Sequence, residues 1–549
     1  MTTLAQPALR RPKAPGYMYA GIATASIVLI GILALTATSP PPPTIAEFAP
    51  QANRIEDAPD EQTSEFGEGS GNCPPGSTTC DPAGTDKAAG GEEPDPIDIP
   101  RVRKCIGDPP RQTEDPQSPP CVPYFKGDNG GETYKGVTAD EVRIAAPSNT
   151  TFADGMVAYF NSRYEFYGRK MVIVPGIGAG FGPDAAKMSA DAVKADEELK
   201  VFGSLLYGDG GGEEFVYYDE LARRGIVSVD ARPTMNSEAS MKKFHPYQWG
   251  YLPGFDLMSR AMSEWICKAL AGKSADYSGA DVITERKFGM VTTVRASGAR
   301  PDVTAQKRIL ADCGVQLAVE RDQVMDGNDQ SGFQQAQSIL TEMQTNRVTT
   351  IICNCHTQTS GYYMSSLATK QGYFPEWLIS TYMYQAEDTH AQVWDSGQVA
   401  HSFGLGWWDK QLPPQDEVWY RAVKEGGRNF NNEFDYYEAR WLFNSIRMMA
   451  AGLQMAGPKL TPESFADGLM KSRFPNPNAG GPPDYQASIR FGPDDHTAID
   501  DAAIVWLSKT EQSNWSGRAG AVCYAQNGKR YKLGQFPSDY GGIFQRPCY

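Results

Sequence analysis

The sequence predicts an α/β protein of two Rossmann-like lobes, each wound around its own parallel sheet and joined by a hinge, and three observations predict it. From Glu141 onward, apolar runs of strand length alternate with amphipathic helical stretches, the pattern of βαβ units. The alternation halts at "GYLPGFDLMSRAMSEWICKALAGK" and then restarts, so one sheet gives way to another. A long helical stretch, "EFDYYEARWLFNSIRMMAAGLQMA", and shorter strands follow the second run. A chain of 549 residues with 40% hydrophobic content can bury two cores of this size.

The first lobe opens with "GVTADEVRIAAP", where Gly136 breaks the chain and Val142 to Ala146 alternate into a strand. Strand "KMVIVPG", helix "PDAAKMSADAVKADEEL", strand "KVFGSLLYG", helix "GEEFVYYDELARRG" and strand "IVSVDA" follow. The second lobe runs through strand "KFGMVTTV", helix "VTAQKRILADCG", strand "VQLAVERDQV", helix "GFQQAQSILTEMQTNR", strand "TTIICNC", helix "SGYYMSSLATKQG" and strand "EWLISTYMY". These runs place the first lobe at 132–254 and about 388–500, and the second at 255–387 and about 501–549 with the C-terminal tail.

The residues ahead of the lobes indicate location. Arg10, Arg11 and Lys13 precede an uncharged run from Gly16 to Ala37, about the ~20 residues that cross a bilayer as a helix. We expect a cytoplasmic tail at 1–15, a transmembrane signal-anchor at 16–38 and an extracytoplasmic binding domain on the cell membrane. Signal cleavage and secretion is the alternative. Residues 39–131, rich in Pro, Gly and acid, form a disordered stalk in this reading, because they cannot bury enough apolar surface to offset ordering.

Ten cysteines in a chain mostly outside the cytoplasm suggest disulfides. Proximity suggests pairing Cys73 with Cys80, Cys105 with Cys121, Cys267 with Cys313 and Cys523 with Cys548. Cys353 and Cys355 remain, two apart on a strand and so pointing the same way, open to a disulfide or to apolar packing.

Several stretches together resemble the type I periplasmic binding proteins, the group containing branched-chain amino acid receptors of ABC importers, in the wording of its larger actinobacterial members. They are "GVTADEVRIAAP", "YEFYGRKMVIV", "VFGSLLYGDGGGEEF", "QGYFPEWLIS" and "YYEARWLFNSIRMMAAGLQMAG", whose order is more specific than any one of them. The resemblance spans roughly 135–508 and implies a ligand held between the lobes. Open parallel sheets bind ligands outside the carboxyl ends of their strands. The matching positions are Gly211, Gly212 and Glu213; Ala231, Arg232 and Thr234; Cys355, His356 and Thr357; and Tyr382. Arg295 ends a strand of the second lobe and, like Arg232, presents a forked donor suited to a carboxylate. In "GDGGGEE" the glycines let a ligand approach bare backbone N–H groups, whereas Glu213 and Glu214 repel a carboxylate and suit an ammonium. Structural readings stand beside these: acids complementing a helix dipole, arginines paired to neighbouring acids, and strand-end tyrosines in the core.

Other chemistries find little support. A net charge of −15 without a basic stripe argues against nucleic acid. "GIGAGFG" departs from the dinucleotide spacing, and no G-x-S-x-G, H-E-x-x-H or Walker motif occurs, so we expect no enzyme activity, cofactor or metal. His245, His356, His390, His401 and His496 lie without metal-ligand spacing. The expected function is a monomeric solute-binding receptor that captures an amino acid or carboxylate-like molecule and delivers it to an ABC permease. A membrane-anchored sensor with the same lobes is the alternative, and an extracellular enzyme the more distant one.

Overall fold

The computed structural model describes residues 101–549 except 116, 148–151, 179–183, 206–213, 232–236, 280–283, 473, 475–485, 547 and 549. The expected cytoplasmic tail, anchor and Cys73–Cys80 pair lie outside the described residues. Among the described residues no helix is long and apolar enough to cross a membrane.

Residues 101–131, read from composition as stalk, are part of the folded body. They carry a small antiparallel pair, β1 (Cys105–Ile106) and β2 (Arg111–Gln112), closed by the Cys105–Cys121 disulfide. With few large apolar side chains, the arm is held by polar anchors instead. Buried Asp115 meets Arg447 at 3.2 Å, and Gln117 donates to the carbonyl of Ala487 at 3.2 Å. Such pairing is invisible to a reading of composition, which counts apolar area only.

The first lobe's sheet contains β3 (Glu141–Pro147), β4 (Lys170–Ile177), β5 (Gly203–Leu205), β6 (Val227–Asp230) and β7 (Gln248–Gly250). Their order is β4-β3-β5-β6-β7, all parallel. The second lobe repeats this order with β8 (Phe288–Arg295), β9 (Leu317–Met325), β10 (Thr350–Asn354), β11 (Glu376–Ser380) and β12 (Ser402–Gly406), arranged β9-β8-β10-β11-β12. Three antiparallel strands extend that sheet: β13 (Asp501–Gln512), β14 (Ala519–Tyr524) and β15 (Arg530–Lys532).

The chain leaves the second lobe later than expected. β12 pairs in parallel with β11, so the stretch from 388 to 406 stays with the second lobe. The strand reads Ser-Phe-Gly-Leu-Gly, a weak strand signal. Glycine is required there: a Cβ on Gly404 would come within 1.9 Å of the Ile379 carbonyl oxygen. The long helix Phe434–Ala456 then packs on the first lobe, with Ser445 accepting from the Ala231 N–H at 3.0 Å.

The crossovers between lobes are tied together. The N–H of Ala498 donates to Gly250 and that of Ile499 to Tyr251, at 2.9 and 3.1 Å, so two crossing segments run side by side. Arg530 donates to the carbonyls of Trp407 and Trp408 at 2.7 and 3.0 Å and to Asp501 at 2.8 Å, fastening another crossing to the second sheet.

Candidate functional site

In a sheet ordered second-first-third-fourth-fifth, the crevice opens where the connections diverge, between the first and third strands. In the second lobe that point lies between the carboxyl ends of β8 and β10. Arg295 is the last residue of β8, and Cys355, His356 and Thr357 follow β10 directly.

Arg295 is 5% exposed and has no carboxylate beside it among the described residues. Among the described residues its side chain makes one hydrogen-bond contact, from Nη1 to the sulfur of Met325 at 3.8 Å. Nε and Nη2 are buried without a hydrogen-bond partner among the described residues. A buried guanidinium normally finds a carboxylate, because leaving the charge uncompensated costs several kcal/mol.

His356 stands next to this charge. Its backbone N–H donates to Thr293 Oγ1 at 2.9 Å, which fixes the turn out of β10. Desolvation, and then the positive charge of Arg295, lower the pKa of the imidazole to about 3, so the ring is neutral. Its edge meets Tyr384, with ring centroids 6.3 Å apart.

Tyr382 completes the second-lobe side. Its backbone N–H donates to Ser380 Oγ at 3.2 Å, and its ring meets Phe255 edge-on at 4.8 Å. The buried hydroxyl has no hydrogen-bond partner among the described residues. Burial raises its pKa; Arg295 opposes that shift and Glu214 adds to it. Glu214, 1% exposed, occupies the N-cap position of the first-lobe helix Phe215–Arg223, so the Tyr382 hydroxyl senses charges from both lobes.

The backbone around Tyr382 is constrained. Met383 and Tyr384 both take left-handed conformations, φ 51° and 69°, which side chains of this size rarely adopt. A frame of hydrogen bonds holds them. Gln385 accepts from the Ser380 N–H and donates to Ser360 Oγ, both at 3.2 Å, while the Trp407 N–H donates to Thr381 Oγ1 at 2.8 Å. Strain held this way at a cleft is a common feature of binding sites.

Other expected positions fare differently. Cys355 is bridged to Cys353 and fully buried, so it offers no thiol to a ligand. Ala231 is buried, and its N–H is taken by Ser445. Thr357 Oγ1 is hydrogen-bonded to His390 Nδ1. Gly211, Gly212, Glu213, Arg232 and Thr234 lie outside the described residues. Sequence reasoning passed over Phe255, at the start of the helix Phe255–Trp265, and His390, in the helix Asp388–Val393. No spacing signal marks either; both reach the site through tertiary packing. His245 and His496 are 3.1 Å apart with Glu238 behind His496 at 2.6 Å, at the edge of the first lobe. A separate cavity of about 220 Å³, bordered by Asp388, Asp409, Lys410 and Arg440, lies beside the crossover and touches none of the expected cleft positions.

No protein-family model and no curated protein matches the chain. Solved structures do match it in fold. A solute-binding protein of an ABC transporter from Rhodopseudomonas palustris HaA2, in complex with p-hydroxybenzoic acid, shares 11% identity at a TM-score of 0.51, over 73% of this chain and 98% of that one. A branched-chain amino acid ABC transporter protein from Thermus thermophilus with bound valine shares 13% at 0.50, over 72% and 96%. A substrate-binding protein from Aeropyrum pernix shares 12% at 0.50, over 73% and 97%. The chain therefore has the two-lobed type I fold of ABC-transporter solute-binding proteins, as the resemblance in its sequence implied.

Proposed function

We propose that this chain is an extracytoplasmic solute-binding receptor that takes a small organic carboxylate between its lobes and hands it to an ABC permease. The observation that carries the reading is Arg295: a buried guanidinium, unpaired among the described residues, at the switch point of the second sheet. A ligand carboxylate supplies the missing acceptor, and a bidentate pair suits the fork. The Tyr382 hydroxyl, without a partner among the described residues, and the neutral His356 ring border the same place. The ligands named in similar structures, p-hydroxybenzoic acid and valine, both carry a carboxylate. Closure of the lobes on the ligand follows from contacts on both sides.

The aromatic groups Phe255, Tyr382 and Tyr384 favour a ligand with a flat apolar body. Glu214 favours a second reading, an α-amino acid whose ammonium meets this acid across the cleft. Calorimetric titration with 4-hydroxybenzoate, valine and their primary amides tests both. Binding of either acid, with its amide at least tenfold weaker, supports the carboxylate site; equal binding of acid and amide refutes it.

The proposed location rests on the described disulfides, which join Cys105 to Cys121, Cys267 to Cys313, Cys353 to Cys355 and Cys523 to Cys548. Disulfides of this number persist in oxidising compartments. The proposed anchor at 16–38 is tested by mass spectrometry of the mature N-terminus, where a start at or beyond residue 38 refutes it.

A further inference from the structure

The environment of Thr357 determines more than its position. His390 is 1% exposed, and both of its ring nitrogens are engaged. The indole Nε1–H of Trp394 donates to His390 Nε2, while His390 Nδ1 faces Thr357 Oγ1. An indole nitrogen donates and never accepts, so Nε2 must carry the lone pair. A neutral imidazole has one N–H, which must then sit on Nδ1 and point at Thr357 Oγ1. The ring is neutral because burial, reinforced by nearby His356, holds its pKa well below the usual histidine value. Thr357 therefore accepts from His390, and its own hydroxyl proton is left over. No second hydrogen bond of that hydroxyl occurs among the described residues.

The surroundings are shaped for this pair. Trp394 is braced edge-on by Trp377, with ring centroids 5.3 Å apart. Gly361 leaves it room: a Cβ there would stand 2.9 Å from the Trp394 ring and 3.2 Å from the His390 ring. Thr357 itself follows His356 at the end of β10, on the same edge of the sheet as Arg295.

We infer that His390, locked by Trp394, is a positioning residue that holds the Thr357 hydroxyl as a hydrogen-bond donor toward the interlobe cleft, so that this position selects a ligand oxygen that accepts. The inference rests on the carboxylate reading and sharpens it. Arg295 presents donors only, and His390 takes one of the two lone pairs of Thr357 Oγ1 while leaving its proton free to donate, so a ligand oxygen is favoured there over an amide NH2. Recognition of acid over amide then comes from an oriented neutral hydroxyl as well as from charge.

The first test needs no variant and no ligand. In the full-length protein labelled with ¹⁵N at histidine, His390 should show a protonated Nδ1 and a bare Nε2 at neutral pH. An Nε2–H tautomer, or a doubly protonated ring, overturns the inference. The second test uses Trp394→Phe, which frees Nε2 to take the proton and lets Thr357 turn its hydroxyl toward Nδ1. Affinity for the bound acid, 4-hydroxybenzoate or valine, should fall roughly tenfold, the scale of one hydrogen bond to a charged group, and the gap between acid and amide should narrow. The same substitution made on Thr357→Val should have no further effect on affinity. Failure of the unmodified protein to bind either acid overturns the carboxylate reading and the ligand role of Thr357 with it. A bound acid whose affinity is unchanged in Trp394→Phe overturns the positioning role alone.

Discussion

Two arginines bracket one strand. Arg286 stands just before β8 and Arg295 ends it; both are buried, and their surroundings are opposite. Arg286 meets Glu376 through two nitrogens at 2.7 and 3.0 Å. Glu376 also accepts from Thr350 Oγ1 at 2.6 Å and from the Tyr277 N–H at 3.1 Å, so the carboxylate is fully occupied. This pair closes the amino-terminal edge of the sheet. At the carboxyl-terminal edge, the Arg295 side chain meets, among the described residues, a methionine sulfur and no carboxylate. The difference teaches how to tell a structural charge from a candidate receiving one: the same residue, equally buried, is paired at one end and, among the described residues, left without a carboxylate at the other.

The largest expected effect breaks the satisfied end. Arg286→Met leaves Glu376 buried and uncompensated and should destabilise the fold by about 3–5 kcal/mol, read by chemical denaturation. A loss under about 1 kcal/mol would mean that the pair is incidental and the comparison empty.

Next comes the other end. Arg295→Met removes a charge that no carboxylate among the described residues satisfies, so stability should hold or rise. Affinity for the bound carboxylate should drop roughly ten- to hundredfold, the loss of a charge-assisted hydrogen bond worth about 1.5–3 kcal/mol. A destabilised variant with unchanged affinity would reverse the assignment of the two arginines.

The third prediction concerns pH. His356 titrates near 3 in the folded protein and near 6.5 when unfolded, so the unfolded chain takes up the proton first as pH falls. Its contribution to stability is thus complete above pH 6.5 and lost progressively down to about 3, at roughly 1.4 kcal/mol per pH unit, or about 2 kcal/mol between pH 6.5 and 5. Glu387 and Glu417 act the other way. Burial raises each to about 7, so the stability they withhold at neutral pH returns as pH falls toward 4.5. Comparing the parent with His356→Gln by denaturation at pH 6.5 and 5 isolates the histidine. The parent should lose the more, and equal losses would refute a desolvated ring. Across pH 5–8 the carboxylate affinity should stay flat, since His356 does not change charge there.

What the sequence made legible follows the same division between pattern and packing. Alternating strands and helices led to both lobes and to the strand-end positions of Arg295, His356, Thr357 and Tyr382 in the second, because period and position are local properties. The proximity pairings of Cys105, Cys267 and Cys523 hold in the fold. β12 was illegible because its glycines suppress the strand signal while serving a close contact with β11. The ordered arm at 101–131 was illegible because Asp115 finds Arg447 from over three hundred residues away. His390 was illegible for a similar reason: what matters about it is a hydrogen bond from Trp394 and another to Thr357, and neither leaves a motif.

The smallest effect separates two disulfides of the second lobe along the same line. A cross-link stabilises mainly by restricting the unfolded chain, and the restriction grows with the length of the closed loop. Cys267 and Cys313 are 46 residues apart, whereas Cys353 and Cys355 are separated by 2. Loop-closure entropy then gives the short bridge about 1.5 kcal/mol and the long one about 2.5 kcal/mol more. Replacing both Cys353 and Cys355 by Ala should therefore cost less stability than replacing Cys267 and Cys313. Yet Cys355 immediately precedes His356 and Thr357, so the short bridge fixes the turn that carries the proposed ligand contacts. Its removal should weaken carboxylate binding several-fold, while loss of the long bridge, on the far side of β8 from that turn, should leave binding intact in whatever fraction stays folded. Denaturation and calorimetry on the two double variants decide it. A short bridge that costs more stability than the long one, or that leaves affinity unchanged, would place it with Arg286 as a structural device instead of with Arg295.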